Sequence, residues 1–208
     1  MRFLTRELEF PDISEASPEG VLAFGGDLSV ERLLLAYRSG IFPWYDNSEP
    51  IIWWSPDPRF VLFPSELKVS KSMRQVLRNA HFEMTINKAF RSVIENCANI
   101  HRDGQSSTWI NQRMVDAYCQ LNELGHALSV EVWRDKELVG GLYGIDLKNG
   151  VFCGESMFSK ASNASKFGFI RFVESRDYKL IDCQVYTKHL ASLGAREIDR
   201  ELFREYLV

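Results

Sequence analysis

Hydrophobic positions along the chain fall into two alternating periods. Between Val30 and Ser39 the apolar residues Leu33, Leu34 and Tyr37 share one face of a helix, which Asp27 or Ser29 can cap and Gly40 stops. The preceding stretch, SPEGVLAFGGD from Ser17 to Asp27, is rich in turn formers. After the helix, Pro43, Pro50, Pro56 and Pro58 predict irregular backbone, among which Trp44, Trp53 and Trp54 supply large flat surfaces. A short helix over Ser70–Asn79, a strand over Phe82–Ile86 and a helix over Asn87–Ala98 follow. Asn111–Leu124 is an amphipathic helix, and Ala127–Arg134 and Glu137–Asp146 are strands joined at Asp135-Lys136. Gly150–Phe158 continues the sheet, Ser165–Glu174 is a helix, and Leu180–Val185 is the final strand. The pattern predicts an α+β protein with a small N-terminal unit over residues 1–65 and a larger α/β unit over residues 66–208.

Composition narrows the classes. The 208 residues are 45% hydrophobic, ordinary for a globular protein with a sizeable core. No apolar run reaches the roughly 20 residues that cross a bilayer, and MRFLTRELEF at the start is too charged for a secretory leader, so a cytoplasmic protein without membrane contact is expected. Cys97, Cys119, Cys153 and Cys183 form no CxxC pair and sit in mainly apolar surroundings, which predicts reduced structural thiols and no metal site. The net charge of -3 supplies no global field for nucleic acid, so any such binding needs a local patch.

Candidate chemistry concentrates late in the chain, in FCGESMFSKASNASK from Phe152 to Lys166 and LIDCQV from Leu180 to Val185. Two residues apart in a β-like run, Asp182 and Gln184 are expected to leave the same strand face and act together, or else to be satisfied by backbone at a capped strand end. Glu155 follows Gly154 at another strand end, where it can face a substrate cation or close a local salt bridge. Lys71, Arg74 and Arg78 recur at helical spacing with Lys68 close by, either a solvated helix face or an anion-binding one.

These strings, with GIFPW at Gly40–Trp44 and WWSPDPR at Trp53–Arg59, resemble those of the leucyl/phenylalanyl-tRNA–protein transferases over roughly Ser17 to Leu193. By analogy, the strand-strand-strand-helix-strand order resembles the second half of the acyl-CoA N-acyltransferase (GNAT-like) fold. Such a fold usually holds a cofactor pyrophosphate on a glycine-rich loop, but here that place reads SKASNASK, which argues against acyl-CoA as donor. The resemblance implies transfer of leucine, phenylalanine or, less well, methionine from aminoacyl-tRNA to proteins beginning with Lys or Arg, marking them for N-end-rule degradation. No organic cofactor is implied, and a monomer is expected. An acyl-CoA-dependent N-acetyltransferase and a non-catalytic tRNA-binding module are the rival readings.

The resemblance also assigns roles. Asp182, Gln184 and Glu155 would be the catalytic group, with Gln184 accepting from the amine, Asp182 holding its amide, and Glu155 recognising the acceptor. Leu142, Phe152, Met157, Phe172 and Ile181 would form the amino acid pocket, where the pliant Met157 suits both Leu and Phe. Trp53 and Trp109 would stack the terminal adenosine, while Trp44, Trp54 and Trp133 are expected to pack. Asn163, Ser165 and Lys166 would meet the 3′ phosphates, and Lys71, Arg74 and Arg78 the tRNA acceptor stem.

Overall fold

The computed structural model describes residues 2–46, 50–79, 81–100 and 110–208. Its elements run β1 (Arg2–Leu4), β2 (Val21–Gly25), α1 (Val30–Arg38), β3 (Phe42–Pro43), β4 (Ile52–Trp54), β5 (Arg59–Leu62), α2 (Lys71–Asn79), β6 (Glu83–Ile86) and α3 (Phe90–Asn99). They continue with α4 (Gln112–Glu123), β7 (Ala127–Arg134), β8 (Glu137–Asp146), β9 (Val151–Ser159), α5 (Ala164–Glu174), β10 (Leu180–Asp182), α6 (Lys188–Ala191), β11 (Arg196–Ile198) and α7 (Arg200–Glu205). The architecture is the expected α+β one.

Two sheets form. A small one has the order β1-β2-β4-β3, and a seven-stranded one the order β11-β5-β10-β9-β8-β7-β6. The β9–β10 pair is parallel within this otherwise antiparallel large sheet. One face carries Phe60, Leu62, Leu142, Phe152 and Ile181 against α2 and α5. The other carries Val61, Tyr143, Ile145 and Cys153 against α3, α4 and the N-terminal residues around α1. Strand β5 precedes the expected boundary at residue 65, yet it pairs inside the large sheet between β10 and β11.

Local chemistry explains the elements. Ser29 caps α1 by accepting from the Arg32 amide, and Gly40, at φ 75°, ends it. Asp135 and Lys136 both take positive φ, the backbone of a two-residue hairpin turn whose twist matches the strands it joins. Buried Glu131 accepts from the Lys88 and Ala89 amides and from Thr85 and Ser129, which ties the start of α3 to β6 and β7. The four cysteines are buried thiols outside any disulfide, as expected of structural cysteines.

A β-bulge interrupts the ladder between β8 and β9. Tyr143 pairs with Ser156 and Gly144 with Gly154, so Glu155 is the extra residue on β9. The bulge resets the alternation of the strand: Cys153 and Phe158 pack in the same core although they stand five positions apart, an odd offset. Opposite the bulge, a Cβ on Gly144 would lie 2.2 Å from the Cys153 carbonyl oxygen and 2.5 Å from Phe152 Cζ. Gly144→Ala should therefore spread β8 from β9 and destabilise the protein by about 2–3 kcal/mol in a denaturant titration. A midpoint unchanged from wild type would contradict this packing.

Candidate active site

Strand β10 pairs with β9 only from Leu180 to Asp182, whereas β9 runs on to Ser159. Where the partner stops, a cleft opens between the second half of β9 and the chain leading into α6. It is a cavity of about 500 Å³, walled by Leu142, Phe152, Met157, Phe169 and Ile181 on the apolar side, and by Phe42 and Trp44 from the N-terminal segment. Its polar floor is Glu155, Asp182 and Gln184.

A buried ion pair underlies that floor. Arg59 on β5 donates from Nε and Nη2 to the two Asp182 carboxylate oxygens at 2.8 and 2.7 Å, and from Nη1 to the Gly40 carbonyl at 3.1 Å. Both side chains are closed to solvent, at 1% and 0% exposure. The guanidinium carbon lies over the rings of Phe42 and Phe203, 4.8 and 4.7 Å from their centroids. Burial opposes the guanidinium charge, but the Asp182 carboxylate outweighs it and raises the Arg59 pKa.

Asp182 Oδ1 also accepts from the Gln184 backbone amide at 2.9 Å. Gln184 has φ 63°, a left-handed conformation uncommon for a residue with a side chain, which this hydrogen bond helps to hold. Its Nε2 donates to Glu155 Oε1 at 2.7 Å. Glu155 Oε2 accepts from the Tyr118 hydroxyl at 3.1 Å, and that hydroxyl is hydrogen-bonded to Tyr37. Glu155 is partly open to the cavity, yet desolvation still dominates. It pushes the carboxyl up to about 7 despite donors from Tyr37, Tyr118 and Gln184 that favour the anion. Burial, followed by the Glu155 charge, raises Tyr37 and Tyr118 well above the usual phenol range, so both stay donors. Cys153 and Cys183 are likewise raised by burial, which keeps their thiols protonated and unsuited to nucleophilic attack.

The sequence-predicted residues divide accordingly. Asp182, Gln184 and Glu155 do meet, but not by a shared strand face: β10 ends at Asp182, and a turned backbone delivers Gln184. Nor does Asp182 hold the Gln184 side-chain amide. Its carboxylate is taken by Arg59 and the backbone amide, and Glu155 holds the side chain. Leu142, Phe152, Met157 and Ile181 line the cavity. Phe172 is a correction: it is fully buried behind Phe152, edge-on at 4.8 Å, and supports the pocket without lining it.

Trp53 is a second correction. It is 0% exposed in the core, and its indole donates to the Gly25 carbonyl, so no base can stack on it. Trp44, expected to pack, does pack against the core and Trp54, and it also lines the cavity. Trp109 lies outside the described residues. Asn163, Ser165 and Lys166 border a polar depression of about 330 Å³ that meets the main cavity at Ser159, Ser165 and His189. Lys71, Arg74 and Arg78 stand exposed on α2, opposite its buried Met73. Sequence reasoning missed Arg59, Tyr37, Tyr118 and His189. The arginine of WWSPDPR was legible as a charge amid apolar residues, whereas the tyrosines carried no signal distinguishing them from core. His189 borders both cavities, and burial and then Lys166 shift it toward its neutral form.

Comparison with known proteins places this geometry in context. Residues 61–208 match the family described as leucyl/phenylalanyl-tRNA protein transferase, and residues 26–57 match its N-terminal domain. A leucyl/phenylalanyl-tRNA–protein transferase of Flavobacterium johnsoniae is 60% identical over all of this chain and 99% of its own length. The one from Syntrophus aciditrophicus is 57% identical over 96% of this chain and 84% of its own length. Among solved structures, a conserved Bacteroides thetaiotaomicron protein of unknown function is 14% identical with a TM-score of 0.46, and the match covers 73% of this chain and 55% of that one. A GCN5-related N-acetyltransferase from Kribbella flavida is 10% identical with a TM-score of 0.38, over 77% of this chain and 58% of its own.

The raised Glu155 pKa bears on stability. Between about pH 4.5 and about 7 the folded carboxyl keeps a proton that the unfolded one releases, so stability falls as pH rises through that window and levels off above it. Glu155→Gln should remove this contribution and flatten the slope of the denaturation midpoint against pH. Equal slopes for the two proteins would mean that the Glu155 carboxyl titrates alike folded and unfolded, against the raised pKa.

Proposed function

Because the chain belongs to the leucyl/phenylalanyl-tRNA protein transferase family, we propose that its cavity receives the leucyl or phenylalanyl side chain, and less well the methionyl one, of an aminoacyl-tRNA. The acceptor is the α-amine of a protein beginning with Lys or Arg, and the product is thereby marked for N-end-rule degradation. The observation that carries this reading is the union of one apolar pocket with a polar floor that ends at Gln184 and Glu155. Apolar walls reward a large side chain unbranched at Cβ. Discrimination of roughly 1–3 kcal/mol per methylene fits a site that takes more than one residue.

The reaction needs little covalent help. The amine nitrogen attacks the ester carbonyl, a C–N bond forms, the C–O bond to the ribose breaks, and the ribose hydroxyl leaves with a proton. An α-amine of pKa roughly 8 is partly neutral at physiological pH, so orientation and charge placement dominate. Gln184, with its amide nitrogen on Glu155, keeps its amide oxygen to accept from the amine. Glu155, with a pKa of about 7, is the carboxylate left to face the amine and the cationic acceptor side chain, since Arg59 occupies Asp182. Asp182 therefore acts by holding Gln184 in place. Trp44 is the available stacking surface for the adenine.

The depression at Asn163, Ser165 and Lys166 suits the 3′ phosphates, and Lys71, Arg74 and Arg78 suit the acceptor stem. The amide of Ser165 is occupied by Ser159 Oγ at 3.2 Å, which supports an aminoacyl ester over the pyrophosphate of acyl-CoA. A small N-terminal unit serving a larger catalytic one, a monomeric state and a cytoplasmic location complete the proposal. None of the described helices is long and apolar enough to cross a membrane, and the described residues hold no group of three or more His, Cys, Asp or Glu able to bind a metal.

The decisive assay supplies labelled Leu-tRNA with peptides beginning with Arg or Ala. Label should enter the Arg peptide preferentially, and Glu155→Gln should narrow that preference while keeping Leu over Val. Equal labelling of both peptides by the wild type would refute the acceptor assignment.

Replacing Lys71, Arg74 and Arg78 together by Ala should weaken tRNA binding and reduce its dependence on salt, yet spare transfer from a minimal aminoacyl-adenosine. An unchanged salt slope would mean that the stem docks elsewhere.

A further inference from the structure

The Arg59–Asp182 pair joins three parts of the chain that the reaction does not otherwise connect. Gly40 and Phe42 come from the N-terminal segment, Phe203 from α7, and Asp182 from the end of β10. Phe42 and Asp182 also line the cavity. Both Asp182 oxygens take guanidinium hydrogens, and one of them also takes the Gln184 amide, so the carboxylate cannot rotate without losing contacts on two sides. Gln184 sits at positive φ, where its backbone depends on neighbours to stay. Burial of a charge pair of this kind is seldom favourable on its own, which makes a structural role in the core a weak explanation of its presence.

We propose that Arg59 is a positioning residue for aminoacyl transfer: its planar fork fixes Asp182, and Asp182 fixes the left-handed Gln184 whose side chain meets the acceptor amine. The proposal rests on the transferase reading above. Lysine cannot replace that fork, because an ammonium is a single point donor where the guanidinium presents two parallel N–H groups. The rings of Phe42 and Phe203 both pack on the guanidinium, so α7 contributes to the site through Arg59 without touching the substrate.

The test measures single-turnover transfer from Leu-tRNA to an Arg-starting peptide for Arg59→Lys, in the wild-type and Gln184→Ala backgrounds. Arg59→Lys should lower the transfer rate at least about tenfold in the wild-type background while donor affinity stays within about twofold. In Gln184→Ala the same substitution should change the rate by less than about twofold, since the group through which it acts is gone. A merely structural loss would lower both backgrounds by the same factor, and that result overturns the proposal, as does an Arg59→Lys rate within about threefold of wild type. If Arg59→Lys does not fold, the paired replacement Arg59→Met with Asp182→Leu, which exchanges the buried ions for apolar groups of similar size, is measured in the same two backgrounds against the same criteria. Wild-type protein that leaves the label on the tRNA would contradict the transferase reading itself. Wild-type transfer with an insensitive Arg59→Lys contradicts only the role of Arg59.

Discussion

A guanidinium and a carboxylate, both closed to water, set the geometry on which the candidate site depends. Removing such ions from solvent costs several kcal/mol each, and only close geometry backed by further hydrogen bonds offsets that cost. Arg59 and Asp182 meet the condition through two short parallel hydrogen bonds, the Gly40 carbonyl, the Gln184 amide and two aromatic faces. Loss of one partner would leave an uncompensated buried charge, at about 3–5 kcal/mol. The N-terminal segment, the large sheet and α7 are thus held to one another at the floor of the cavity.

Two irregularities of the sheet turn this anchor into a site. The bulge at Glu155 breaks the alternation of β9 and brings a carboxylate against Tyr118 and Gln184. The early end of β10 opens the cleft that the substrate would enter. Neither device creates a strong nucleophile, and the proposed reaction needs none, because an aminoacyl ester is already activated. Orientation of the amine, a hydrogen-bond acceptor beside it and a carboxyl that titrates near neutrality are the contributions the geometry can make.

Much of the fold was legible from periodicity. The hairpin of β7 and β8 was expected at its observed boundaries, and α1 and α5 within one residue, because long amphipathic or β-branched runs leave little ambiguity. Strand β5 was missed because the prolines before it suggested irregular backbone, and β11 and α7 because three- and six-residue elements carry too little pattern. At the site, strand alternation correctly joined Asp182 and Gln184 but for the wrong reason, since the strand had ended before Gln184. Trp53 was misread because aromatic residues look alike until the register of β4 with β2 and β3 buries one of them. The tertiary partners of Asp182 lie far away in sequence, and no local rule could supply Arg59, 123 residues distant.

The account is tested most directly by the structure of the protein with a non-hydrolysable 3′-amide of phenylalanyl-adenosine. The phenyl ring should lie among Leu142, Phe152, Met157 and Ile181, the adenine against Trp44, and the amide carbonyl carbon beside the Gln184 side chain, with the Arg59–Asp182 hydrogen bonds intact. A ligand bound with its aminoacyl carbonyl away from Gln184, or a complex in which Asp182 leaves Arg59 to contact the ligand, would contradict the account.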